Sequence, residues 1–208
     1  MKTIQSSKFL LLFLISLFLG SCERSSETAG KTAAELETQS LSINEDQRLA
    51  VFFEEIFERD VDLSPEYQAY LGRKTEDYGK WDDYSEAYAE TRIQLVASDL
   101  KRLQQEFDFS ALNDNSKISY RIFEYRQQQT LRNFEWRYHQ YAISQMNDIS
   151  STLTTFLQNI HKIENINEAE DYISRLEGIQ TVLHEVIARL RKGESLGVIP
   201  PMMVYPKI

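Results

Sequence analysis

The chain has 208 residues, with 23 basic and 32 acidic side chains and a formal charge of −9. A surface of that sign repels phosphate, which excludes nucleic acid as a partner and offers no basic patch to anionic lipid headgroups. Cys22 is the only cysteine, so no intrachain disulfide is possible and stability must come from packing, for which eleven Tyr and eleven Phe supply much of the material.

Lys2 and Lys8 precede an apolar run over residues 9–19, which is followed by Gly20, Ser21 and Cys22. A run of this length is too short to span about 30 Å of hydrocarbon as a helix, so it reads as a secretory signal. The Leu19-Gly20-Ser21-Cys22 stretch resembles a bacterial lipobox. That assigns residues 1–21 to a lipoprotein signal peptide and makes Cys22 the lipid-attachment residue, through which the exported protein is anchored to the cell envelope. Acylation also explains a lone cysteine in an oxidising compartment, because the sulfur is then no longer a reactive thiol. Removing residues 1–21 takes away two lysines and leaves 21 basic against 32 acidic groups, a formal −11. Residues 22–41 are rich in Ser, Thr, Glu, Ala and Lys and read as a disordered tether.

Residues 42–208 form the predicted helical domain. Ser42-Ile43-Asn44-Glu45 has the spacing of a capping box, and Leu49, Phe52, Phe53, Ile56 and Phe57 follow at helical intervals, predicting a helix over 45–59. Ser64 and Pro65 open a second, short helix that Gly72 closes in the left-handed conformation, with Tyr67, Tyr70 and Leu71 sharing a face. Residues 73–83 carry mixed charge, a glycine and Trp81 without helical period, and are expected to be a loop.

Over residues 85–108 the apolar positions Ala89, Ile93, Val96, Leu100, Leu103 and Phe107 alternate gaps of four and three. Such a seam predicts one long helix packed along a neighbour at a shallow angle, with Arg92, Asp99, Lys101, Arg102 and Glu106 facing water. The run Asn113-Asp114-Asn115-Ser116 supplies caps for a helix from Lys117 into the Trp136 region, whose inner face is read as Ile118, Ile122, Tyr125, Leu131 and Phe134. Residues 132–141 interleave Phe134, Trp136, Tyr138 and Tyr141 with Arg132, Arg137 and His139. That pattern suits a buried helix end with arginines snorkelling outward better than a base-stacking or sugar-stacking platform. Ile149, Leu153, Phe156 and Ile160 predict a helix over 148–162. Asn167 with Glu170 reads as a capping box for the longest helix, with inner positions Tyr172, Leu176, Ile179, Leu183, Val186 or Ile187, and Leu190, stopped by Gly193. No segment alternates with a period of two, so the expected fold is all-α, an irregular bundle of about six helices.

Three landmarks occur in one order: Leu63, Ser64, Pro65, Glu66 and Tyr67 with Tyr70, Leu71 and Gly72; the helix around Tyr172 and Leu176; and the exit through Gly197, Pro200 and Pro201. In this arrangement the chain resembles the amino-terminal part of a bacterial family catalogued as domain of unknown function 885. The resemblance implies a longer, mostly helical, secreted or lipid-anchored protein regarded as a zinc-peptidase-like hydrolase. In that family the metal element, a His-Glu pair followed by Pro-Gly-His, lies beyond the region matched. Of His139, His161 and His184, only His184 precedes a glutamate, and Ala188 stands where a second ligand is needed one turn later. No metal ligand is assigned, and zinc is expected only in a complete family member.

No nucleophile elbow, Cys-His arrangement or phosphate-cradling glycine loop is present. The acid pairs Glu54-Glu55, Asp82-Asp83 and Glu168-Glu170 are read as surface groups rather than as a glycosidase acid and base. The expected function is therefore that of a lipid-anchored helical part of a metallopeptidase-like hydrolase, with no catalytic or cofactor-binding residue of its own and a missing carboxy-terminal domain as its partner. The alternative is a self-sufficient helical lipoprotein that binds a partner or ligand at the envelope.

Overall fold

A computed structural model describes residues 44–141, 143–144 and 148–202. The signal peptide, the tether, Cys22 and Ser42 lie outside the described residues. Six α-helices follow: α1 (Glu45–Asp62), α2 (Pro65–Tyr70), α3 (Glu86–Glu106), α4 (Asp114–Phe134), α5 (Ile149–Asn159) and α6 (Ile166–Ser195). Short 3-10 turns at Phe109–Ala111 and Arg137–His139 join them, and no strand occurs among the described residues.

Each helix begins where a side-chain oxygen satisfies a free amide: Asn44, Ser64, Ser85, Asn113, Asp148 and Asn165 all accept from the first turn. Two starts differ from expectation. The α1 capping box is Asn44 with Gln47, and α6 opens at Asn165, two residues before the predicted Asn167. Asn165 also reaches the Glu168 carboxylate at 2.9 Å, so the same Asn-x-x-Glu spacing is satisfied in an earlier register.

The predicted stop at Gly193 is wrong for a physical reason. Gly193 is buried inside α6, and its carbonyl receives the Val198 amide at 2.9 Å while the Gly197 amide bonds Glu194. Gly197, with φ +77°, takes the left-handed position of this paired-bond stop, as Gly72 does at φ +74° after α2. Gly197 leads into the extended chain through Pro200 and Pro201, as expected.

Helices α1, α3 and α4 enclose one core of Leu49, Phe52, Ile56, Leu103, Phe107, Leu112 and Tyr120. Hydrogen bonds Arg59 to Asp99 and Arg48 to the Glu106 carbonyl show that α1 and α3 run antiparallel; Gln104 to Glu124 and Arg137 to Glu86 show the same for α3 and the α4 end. The second half packs α2 and the 73–83 loop against α5 and α6. There Phe156 joins Ala69 and Tyr78, Leu153 joins Val182 and Val186, and Trp81 touches both groups.

Three expectations about which side chains face inward are corrected. On α4 the buried position is Tyr120, with Phe123 partly buried beside it, whereas Ile118, Ile122 and Tyr125 are exposed. On α6, Ile179, Leu183 and Leu190 pack inward as expected and Val186 rather than Ile187 is the buried alternative, but Leu176 is exposed and Glu168, Arg175 and Val182 are buried beside them. Tyr67, Tyr70 and Leu71 lie on the part-exposed side of α2, where the Tyr70 ring still meets Phe156 edge-on at 5.5 Å, while Gln68 and Ala69 are buried. Asp99, expected in water, is 2 % exposed and gripped by both terminal nitrogens of Arg59 at 2.8 Å.

Candidate functional site

The first two landmarks meet. Ser64 caps α2 and donates its hydroxyl to Asp82 Oδ2 at 2.6 Å, while Asp82 Oδ1 accepts the Glu66 amide at 2.9 Å. Glu66 returns the contact, accepting the Asp82 amide at 3.2 Å and the Tyr84 hydroxyl at 3.0 Å. Two carboxylates thus lock a six-residue helix to a loop that has no secondary structure of its own, the loop resting on α6 through Trp81 Nε1, which donates to the Arg175 carbonyl at 2.7 Å.

Arg175 is 0 % exposed. Its guanidinium lies 4.4 Å from the Phe156 ring centre, 5.4 Å from Trp81 and 5.5 Å from Tyr78, and one nitrogen reaches the Pro65 carbonyl at 3.3 Å. Its Nε and Nη1 have no hydrogen-bond partner among the described residues. Burial lowers its pKa from the ordinary value, and the cation is held by aromatic faces and by the nearby charges of Glu66 and Asp82. Burial, then the neighbouring Asp82 charge, pushes the Glu66 carboxyl up; burial and Glu66 together push the Tyr84 phenol up. This node is an enclosed clasp. Both oxygens of Asp82 and Oε1 of Glu66 already accept donors of the chain itself.

Protonated Glu66 suits this site better than the carboxylate, so its contribution to stability is fully present below its unfolded pKa and is lost as pH rises through the higher folded value. A Glu66→Gln variant keeps an acceptor for Tyr84 and removes the charge. Its stability relative to wild type is expected to increase as pH rises above about 4.5, the ordinary glutamate value; urea melts across that range measure it, and a difference that is flat or falls with pH contradicts the assignment.

A second enclosed node surrounds His161, which is 4 % exposed, stacks on Tyr78 at 4.3 Å and meets Tyr172 edge-on at 5.3 Å. Nε2 faces the Glu168 carbonyl at 3.1 Å, so it carries the proton, and Nδ1 has no partner. Burial lowers the His161 pKa, keeping the ring neutral. Glu168, read from sequence as surface, is buried and accepts Lys74 Nζ at 2.9 Å and the Glu164 amide at 2.7 Å. The Lys74 bond leads in holding its carboxyl below the usual range, against burial.

His139 and His184 are exposed, His161 is enclosed by aromatic rings, and among the described residues no three His, Cys, Asp or Glu side chains come together as ligands.

The open concavity lies elsewhere, between α3, the end of α4 and α6. The groove measures about 760 Å³, with Ala89, Ile93 and Val96 as its floor, Phe134 and Ala188 beside them, and Arg92, Arg137, Glu185, Arg189 and Lys192 around the rim. The half of the α3 seam toward Phe107 is sealed in the first core, whereas Ala89, Ile93 and Val96 of the other half line this groove. Arg137 does not snorkel outward: it is ion-paired with Glu86 at 2.6 Å and lies over Phe134 and Tyr138 at 4.2 and 4.6 Å. A smaller hollow of about 530 Å³ sits beside the third landmark, with Leu190, Val198 and Pro200 on its wall.

Of the sequence landmarks, Leu63, Ser64, Pro65 and Glu66 converge with Arg175 in the clasp, and Leu63 also accepts the Tyr88 hydroxyl at 2.8 Å. Tyr172 packs on His161, and Gly72 and Gly197 end their helices. Asp82, Tyr84 and Arg175 were not singled out as a group by sequence. The one available signal was the density of acids and aromatics in 81–84, unusual for a solvated loop.

Residues 65–208 match the model of a family described as a bacterial protein of unknown function (DUF885). No curated protein and no solved structure matches the chain.

Proposed function

The chain belongs to the bacterial DUF885 family, and from that membership we propose that residues 44–202 are the non-catalytic helical wall of a substrate channel in a metallopeptidase-like hydrolase, exported and lipid-anchored at Cys22. The observation that carries this reading is the half-covered α3 seam. Ala89, Ile93 and Val96 continue the register of Leu103 and Phe107, yet they open onto a groove of about 760 Å³. That volume falls in the range of small-molecule sites. An apolar floor with a rim of both charges suits a peptide, whose side chains are mixed and whose backbone is neutral. In this reading zinc belongs to a complete family member and is held by a His-Glu and Pro-Gly-His element that has no counterpart in residues 1–208.

Two measurements on the full chain test it. Millimolar short leucyl peptides should shift the methyl resonances of Ile93, Val96 and Ala188 and leave those of Leu49 and Leu103 in place; no shift, or shifts everywhere, counts against the wall. Metal analysis with a peptidase assay should find neither stoichiometric zinc nor chelator-sensitive cleavage. Zinc bound one to one, with turnover lost in His184→Ala, overturns the non-catalytic assignment.

A further inference from the structure

We propose that the outer face of α4 is a docking surface for an anionic membrane. The helix carries apolar residues on two opposite sides. Tyr120 and Phe123 enter the first core, while Ile118, Ile122 and Tyr125, at intervals of four and three, are 57, 53 and 60 % exposed. At about 100° per residue this second stripe points away from the first. It is therefore an apolar strip that intramolecular packing leaves bare.

The charges around it set the chemistry. Lys117, Arg121, Arg126 and Arg132 all lie on α4, and among the described residues none of them forms an ion pair, a condition shared by Arg189, Arg191 and Lys192 of α6. The Lys117 ammonium and the Arg121 guanidinium lie 6.0 and 5.0 Å from the Phe109 ring centre, contacts that engage no carboxylate. The acids of α4 are Asp114 in its first turn and Glu124, which is engaged by Gln104. Four cations against two acids make this helix locally positive in a chain of −9. The net charge conceals a basic stripe.

A strip of two turns, flanked on both sides by long cationic side chains and carrying a tyrosine, is the arrangement of a helix lying in the headgroup plane, where stems bury and charges reach phosphate. A second copy of the same face would bring like charges together. The bilayer supplies apolar depth and negative charge at once. Such a contact is independent of the channel-wall reading; beside an acyl chain at Cys22 it gives the second attachment that stable anchoring requires.

The test uses the full chain with Cys22→Ser, so that any acyl chain is removed, and vesicles of phosphatidylglycerol or of phosphatidylcholine. Flotation should favour phosphatidylglycerol, weaken with added salt, and fall about 30-fold in Arg126→Gln with Arg132→Gln. Ile118→Ser with Ile122→Ser should reduce it as well. All four positions are exposed, so thermal melts of both variants should superimpose on the parent. Equal binding to the two lipids, or binding unchanged in both double variants, overturns the proposal. A dimer by light scattering that dissociates in Ile118→Ser with Ile122→Ser also overturns it, assigning the face to a second copy.

Discussion

Substituting methionine for Arg59 is expected to lower the unfolding free energy by about 3 kcal/mol, measured by urea denaturation. The guanidinium fork meets both oxygens of Asp99 at 2.8 Å, and Asp99 is 2 % exposed, so the variant leaves a carboxylate sealed between α1 and α3 with no cation. The low end of the range for buried pairs applies because Arg59 itself is 31 % exposed and water reaches that side. The reverse change, Asp99→Leu, is milder, about 1–2 kcal/mol, since the freed arginine keeps Asp60 at 2.7 Å and can hydrate. Combining the two removes the buried charge with its partner. The double variant should be less destabilised than the sum of the singles by about 2 kcal/mol. Strict additivity would show that the Arg59–Asp99 geometry carries no coupling energy.

That pair also shows what a linear reading can and cannot reach. Helix existence was legible because caps and period coincide: Ser64, Asn113 and Asp148 start the helices expected of them, and Leu153 and Phe156 of α5 are buried as read. Facing was legible only where a helix has one apolar side. On α4 two stripes compete, and periodicity alone assigns no preference between Ile118 with Ile122 and Tyr120 with Phe123; the choice is made by α1 and α3, which are distant in sequence. Buried charge was illegible for a related reason. Asp99 and Arg175 occupy helix positions where a charged residue ordinarily means solvent, and only partners from other elements, Arg59 in one case and Phe156, Trp81 and Tyr78 in the other, make burial tolerable. For the candidate site, sequence located Ser64 and Glu66 as a helix start but could not place Asp82 beneath them or bring Arg175 to the Pro65 carbonyl across 110 positions. The groove was legible as its α3 seam and not as an opening, because a heptad states that a neighbour is needed without stating how far that neighbour extends.

The largest single loss is expected at Phe156, where truncation to alanine should cost about 3–5 kcal/mol. The ring is 1 % exposed and is shared by Trp81 at 5.2 Å, Tyr70 at 5.5 Å and the Arg175 guanidinium at 4.4 Å, so no neighbour can collapse into the space without surrendering another contact. Phe156→Leu keeps most of the apolar volume and removes the π face under the cation, for an expected cost of about 1–2 kcal/mol. Arg175→Met separates charge from packing. It relieves two nitrogens that have no hydrogen-bond partner among the described residues, but it also withdraws the cation that lowers the Glu66 pKa against burial and Asp82. Glu66 should then titrate higher still in the folded protein. The stability it contributes is present in acid and disappears as pH rises, so Arg175→Met should be closest to wild type in mild acid and fall behind toward neutrality. Truncation at Phe156 creates a cavity whatever the pH, and its deficit should stay nearly constant over the same range. Parallel pH profiles for Phe156→Ala and Arg175→Met would mean that Arg175 serves the clasp by its volume alone; diverging profiles mean that its charge, held on aromatic faces, is what permits Glu66 and Asp82 to lie side by side beneath α2.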